Sequence, residues 1–225
     1  AASDVYKRQF VGGIGFSVII YFASGHIRKA LQNTEFKVYA AILALSGIAV
    51  TIAVYASSDT SQPFFRTLTY GMFNTVSIMT TTGFMCDDYQ KWLPMTHSIF
   101  FILMIIGGCS GSTSGGIKVS RLILSYGLCR NHIEKSFRPR VVRPVRINGK
   151  IIDEDDAYEV LSYVTMFVLI VMVSILAISF FETDLELSES ITAVISLINN
   201  VGPGVDRIGP AENYGFMNGA SKIFL

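Results

Sequence analysis

The chain has 225 residues, 51% of them hydrophobic and 16% charged, with a formal net charge of +1. A soluble domain carries about 25% charged residues, so the composition excludes an ordinary soluble globular protein. Three well-separated cysteines, Cys86, Cys109 and Cys129, have no metal-ligand spacing and argue against a disulfide framework.

In chain order, the polar start Ala1–Gln9 does not read as part of any span, and the apolar run Phe10–Gly25 is short for one. Val38–Ser58 is uncharged and long enough to cross the hydrocarbon core as a helix, which takes about 20 residues. Leu68–Thr81 is a shorter apolar stretch that leads into Thr82-Gly83-Phe84. Trp92–Ile117 and Val160–Phe181 are again of spanning length. Ile191–Asn200 repeats the short form and leads into Val201-Gly202-Pro203-Gly204; the chain re-enters the membrane near Tyr214 and stops at Leu225 in an apolar run. With no initiator Met, it reads as a fragment.

The basic residues fix an orientation, because Lys and Arg stay on the cytoplasmic side during insertion. Segment 118–157 carries nine of them, and segment 26–37 carries Arg28, Lys29 and Lys37. Segments 59–91 and 182–213 are acid-rich, so they face outward. Arg130–Arg146 brings none of the aromatics that single-strand binding uses for stacking. It is a juxtamembrane loop in contact with anionic lipid, and nucleic acid is not an expected partner.

Aligning Gly83 with Gly202 gives an offset of 119 residues, which also pairs Ser77 with Ser196 and Val38 with Ala157. The unit is a span, a short helix with a polar tip, a glycine turn and a second span. A short helix that ends partway across must turn back, and its non-helical return is tolerated in lipid only if it is buried in protein or lines water. The two turns are therefore expected on a shared aqueous path.

A dehydrated cation needs oxygens that replace its water shell, and backbone carbonyls supply them in K⁺ filters. Glycine permits the conformations that aim those carbonyls inward. Thr80–Phe84 and Asn199–Gly204 have this composition, and neither contains Asp or Glu. Helices over about 68–79 and 190–199 would point their partly negative C-terminal ends at the path.

Within Trp92–Ile117 lies a break: Gly107, Gly108, Cys109, Ser110, Gly111, Ser112, Thr113, Ser114, Gly115 and Gly116, followed by Ile117 and Lys118. Each glycine weakens a helix by about 1 kcal/mol relative to alanine, so this stretch unwinds. There it can obstruct or release ions, with Lys118 repelling cations or anchoring the loop. Close helix packing through small residues is the plain alternative. A phosphate-binding Walker loop is excluded, since the Gly-Lys-Ser/Thr ending is missing. Gly108-Cys109-Ser110-Gly111 resembles the nucleophile turn of rhomboids, which would make an intramembrane serine hydrolase using Ser110. Such chemistry needs a base near the hydroxyl, and His97 and His132 are badly placed for it.

GGCSGSTSGGIK, preceded by TTTGF and followed by NNVGPG, resembles the core of the Trk/Ktr/HKT superfamily of K⁺ transporters, closest to the bacterial Trk type. The resemblance covers about residues 10–225. It implies an all-α, multi-pass protein of the bacterial cytoplasmic (inner) membrane, with four potassium-channel-like helix–pore helix–helix units around a pseudo-fourfold pore. About half of that protein is here: residues 1–34 the polar start and the closing span of the second unit, 35–130 the third unit, 131–156 a basic cytoplasmic loop, and 157–225 the fourth unit, cut in its last helix. By the same resemblance, Thr81, Thr82, Gly83 and Phe84, with Asn200, Val201, Gly202 and Pro203, are two of four filter strands. The carbonyls of Thr81, Thr82, Asn200 and Val201 would hold K⁺, and Gly107–Gly116 would be the intramembrane gate. The implied partners are a second copy in a homodimer and a cytoplasmic nucleotide-binding regulatory subunit. No cofactor is bound covalently; K⁺ is the substrate, and nucleotide acts only through the regulatory partner. A sodium-permeable or cation-coupled member of the superfamily remains the alternative.

Overall fold

A computed structural model describes residues 2–57, 63–138, 146–147, 150–151 and 154–224. Their regular structure is helical apart from a short antiparallel hairpin, β1 (Arg146–Ile147) and β2 (Lys150–Ile151). Helix α4 (Thr34–Ala56) starts at Asn33, whose side chain accepts the Phe36 N–H at 3.1 Å and so fills one of the orphan donors of the first turn. Its 23 residues reach about 34 Å at 1.5 Å per residue, enough to cross a hydrocarbon core. Helix α8 (Glu154–Phe181) is longer still. These two are long and apolar enough to span a membrane, with mean hydropathies of 2.1 and 2.8. Leu161, Met166, Leu169, Met172 and Leu176 of α8 are exposed, as suits a helix whose solvent on that side is lipid.

Between them, α5 (Phe64–Met79) follows Pro63, which fixes φ just ahead of the helix. It begins four residues before the expected Leu68. Helix α9 (Leu187–Ile198) also starts earlier than expected, because Glu186 and Glu189 form a reciprocal capping box. The span expected over Trp92–Ile117 is a 12-residue helix, α6 (Pro94–Ile105), then an irregular loop, then α7 (Val119–Phe137). The chain ends in two 3-10 turns and the short helix α10 (Gly219–Phe224).

The start of the chain differs from expectation. Its polar residues are helical, in α1 (Ala2–Gly12), and α2 (Phe16–Ala23) and α3 (Ile27–Gln32) follow. Gly13-Ile14-Gly15 breaks what had read as one short apolar run. The polar start is held because it packs: Tyr6 stacks on Phe73 of α5, the Tyr39 hydroxyl donates to the Phe10 carbonyl at 3.2 Å, and Gln9 is buried. Of the basic loop, residues 139–145, 148–149 and 152–153 lie outside the described residues.

The larger of two buried clusters among the described residues is centred on α4, α5 and α6. Tyr39, Val50, Val76, Ile78, Met79, Phe100 and Met104 are buried in it, and it reaches Cys109 in the irregular loop and Val201 after α9. The smaller holds Ala193, Ile208 and Met217.

Candidate functional site

Helices α5 and α9 stop in the same way. Thr81 and Asn200 both take left-handed backbone, with φ of 52° and 55°. The N–H groups of Thr81 and Asn200 bond to the carbonyls of Ile78 and Leu197 at 3.1 and 3.0 Å. Those of Thr82 and Val201 reach back to Ser77 and Ser196 at 2.9 and 2.7 Å. This is the Schellman motif, in which the first residue past the helix is normally Gly or Asn. Two residues later Gly83 and Gly202 again have positive φ, 75° and 100°, so every feature recurs at the 119-residue offset read from the sequence. The turns also touch: a methyl at Gly83 would lie 2.7 Å from the Val201 carbonyl oxygen.

Asn200 suits its position, but Thr81 does not. A β-branched residue at φ 52° is a genuine outlier and costs about 1–3 kcal/mol. The surroundings hold it there, since Thr81 Oγ1 accepts the Gly115 N–H at 2.9 Å.

Gly115 belongs to the loop between α6 and α7. The ends of that loop meet at a parallel bridge between Ile106 and Ile117, with Gly107 N–H on the Ile117 carbonyl and Ile117 N–H on that of Ile105, both at 2.9 Å. The intervening residues are held on three sides. Cys109 N–H donates to the Gly13 carbonyl at 2.9 Å, at the break between α1 and α2, and Thr113 Oγ1 donates to Gly12 at 3.3 Å. Ser110 N–H donates to the buried Glu35 carboxylate at 2.5 Å, in the first turn of α4. On the third side Gly115 meets Thr81, and it lies so near α9 that a methyl there would fall 1.9 Å from the Asn199 carbonyl oxygen.

Lys118 folds back under the loop. Its ammonium donates to the Ser112 carbonyl and hydroxyl at 3.3 Å, to Ser114 Oγ at 3.2 Å and to the Ser114 carbonyl. These contacts tie Lys118 to the loop. Ser114 Oγ in turn accepts the Gly108 N–H at 2.8 Å. Ser110, Gly111, Lys118 and Arg121 line an open cavity of about 370 Å³, with Asp156 and Glu159 of α8 opposite. The Ser110 hydroxyl pairs with that of Ser120 at 2.5 Å, whereas His97 bonds the Tyr89 carbonyl at 2.8 Å. His97 is thus engaged elsewhere and is not the partner of the Ser110 hydroxyl.

Thr81–Phe84, Asn200–Pro203 and Gly107–Lys118 are thus brought into one contiguous region. Three contributors were missed in the sequence. Glu35 carried a signal, as the lone acid in the otherwise basic segment 26–37. Tyr89 and Tyr214 carried none. Tyr89 is fully buried and its hydroxyl bonds the Gly204 carbonyl; burial above all, with Tyr214 and Asp88 adding to it, pushes its phenol pKa well up, so it stays a donor.

The family model for TrkH, described as a cation transport protein, matches residues 60–223. The Trk system potassium uptake protein TrkI of Halomonas elongata is 32% identical over 215 residues, covering 95% of this chain and 43% of that protein. TrkH of Salmonella typhimurium is 26% identical over 96% of this chain and 44% of its own length. The chain therefore spans less than half the length of the curated relatives it matches. The crystal structure of the potassium transporter TrkH from Vibrio parahaemolyticus superposes with a TM-score of 0.85 at 25% identity, covering 96% of this chain and 46% of that one. With a matched family model over most of its length and these relatives, the chain belongs to the TrkH family of cation transport proteins, not to a family of enzymes.

Proposed function

We propose that this chain forms half of the K⁺ path of a bacterial inner-membrane uptake protein, contributing two of four pore units. In this reading Thr81, Thr82, Gly83 and Phe84, with Asn200, Val201, Gly202 and Pro203, are adjoining filter strands. The carbonyls of Thr81, Thr82, Asn200 and Val201 take the place of the ion's water shell. The C-terminal ends of α5 and α9 aim partial negative charge at the same place. The loop Gly107–Gly116 is the gate, and Lys118 ties its serine oxygens down. The observation that carries the reading is the position of Gly115, bonded to one turn and packed against the other. A loop so placed lies directly against both turns, which supports reading this as the closed position of the gate. The names of the relatives, potassium uptake proteins and a potassium transporter, favour K⁺ as the ion. A second copy and a cytoplasmic nucleotide-binding regulator complete the assembly, the regulator facing the basic segment that follows α7.

The test is Rb⁺ uptake by the full-length protein in cells lacking their own K⁺ uptake. Gly83→Asp places a side chain on left-handed backbone against the Val201 carbonyl and should abolish uptake. Uptake at the unsubstituted rate would sink the pore assignment.

A further inference from the structure

The two turns share a backbone but not what their outer carbonyls touch. In the fourth unit three consecutive carbonyls each meet a protein hydroxyl. Gly202 accepts from Tyr214 Oη at 2.7 Å, Pro203 from Ser196 Oγ at 2.8 Å, and Gly204 from Tyr89 Oη. Ser196 and Tyr89 are fully buried, so the Pro203 and Gly204 carbonyls are directed into protein. Tyr89 comes from the outer segment of the third unit, where Gln90 Nε2 also bonds the Asp206 carbonyl and His97 holds the Tyr89 carbonyl. At the matching positions of the third unit, the Gly83, Phe84 and Met85 carbonyls accept no hydrogen bond among the described residues. Ser77, the counterpart of Ser196, is buried with its hydroxyl unpartnered. The third unit is tied further out, where the Asn74 amide bonds Cys86 N–H at 3.2 Å and the Asp87 carbonyl at 3.3 Å.

We propose that Tyr89, Ser196 and Tyr214 are positioning residues that set K⁺-over-Na⁺ discrimination by fixing the outer carbonyls of the fourth filter strand. The inference rests on the carbonyl-lined path proposed above. Selectivity depends on how many carbonyl dipoles meet the ion and how freely they close on it. With three carbonyls tied, the fourth strand offers the oxygens of Asn200 and Val201, while the third offers a longer free run. Removing a hydroxyl frees a carbonyl to swing toward a smaller cation, so Na⁺ is accepted better.

The experiment measures Rb⁺ uptake, and its inhibition by Na⁺, in the full-length protein carrying Tyr89→Phe, Tyr214→Phe, Ser196→Ala or Ser77→Ala. Each of the first three should lower discrimination about five-fold, the worth of one hydrogen bond, with a smaller change in Rb⁺ uptake itself. Ser77→Ala should leave discrimination as it was, because its hydroxyl has no partner. Loss of fold alone would reduce uptake without changing the ion preference. If Tyr89→Phe fails to reach the membrane, Tyr214→Phe, at a half-buried site, decides. Unaltered discrimination in both tyrosine variants, with Gly83→Asp inactive, would overturn the brace and leave the pore standing. An active Gly83→Asp would remove both.

Discussion

The fourth turn, at Gly202, and the loop, at Gly115, use the same residue for opposite ends. In the fourth turn Gly202 has φ of 100° and open space around it, so a methyl would meet nothing within 4 Å. What the turn needs from glycine there is a conformation. In the loop, Gly115 carries no positive φ, yet a methyl would fall 1.9 Å from the Asn199 carbonyl oxygen. What the loop needs is contact. Gly202 can keep its conformation whatever lies beside it, whereas the packing at Gly115 depends on its neighbours staying where they are. In the function proposed above, that is the difference between a fixed filter and a gate that can leave.

Three substitutions test the contrast, the largest effect first. Gly115→Ala must separate the loop from α9, at an overpacking cost of about 1–3 kcal/mol. If the closed state is weakened by that amount, Rb⁺ influx in the full-length protein rises about ten-fold; influx at the unsubstituted rate would make the loop a packing element. Gly202→Ala introduces no clash but forces alanine to positive φ, a strain of about 1–3 kcal/mol. Here uptake should fall about five-fold, and an increase would mean that the turn also yields by contact. Gly111→Ala is the mildest, since φ is 71° and the nearest atom, Phe16 N, is 3.8 Å away. The strain of about 1–2 kcal/mol should lower the thermal midpoint of the purified protein by about 2–4 °C. A drop much larger than that would place Gly111 among the contact glycines.

Much of this was legible in the sequence because the bilayer allows few solutions. The uncharged runs marked α4 and α8, and the 119-residue repeat predicted a backbone likeness that extends to individual hydrogen bonds. The helix break at Gly107–Gly116 was legible as well, since so many glycines cannot hold a helix. The polar start was not: a hydropathy window weighs Tyr6 and Gln9 as surface residues, although α5 and Tyr39 supply a packing site for that helix. The loop's attachments were illegible for a related reason. Glu35 stood out only as the lone acid of a basic segment, Gly13 and Thr81 reach the loop through tertiary contacts that leave no periodicity in the chain, and Tyr89 meets its carbonyl partner across two units. The strained Thr81 could not be anticipated either, because threonine in a TTTG run reads as extended backbone.

The attachments of the loop also fix when it can form. Cys109 waits on Gly13, which is made long before it, whereas Gly115 packs on Asn199, which leaves the ribosome only after α8 and α9 have been made. Contacts so far apart in the chain are slow to close, and domains otherwise settle from the N-terminus as synthesis proceeds. The packing of Gly115 on Asn199 therefore settles last, after both turns exist, while the bonds to Gly13, Glu35 and Thr81 can form earlier.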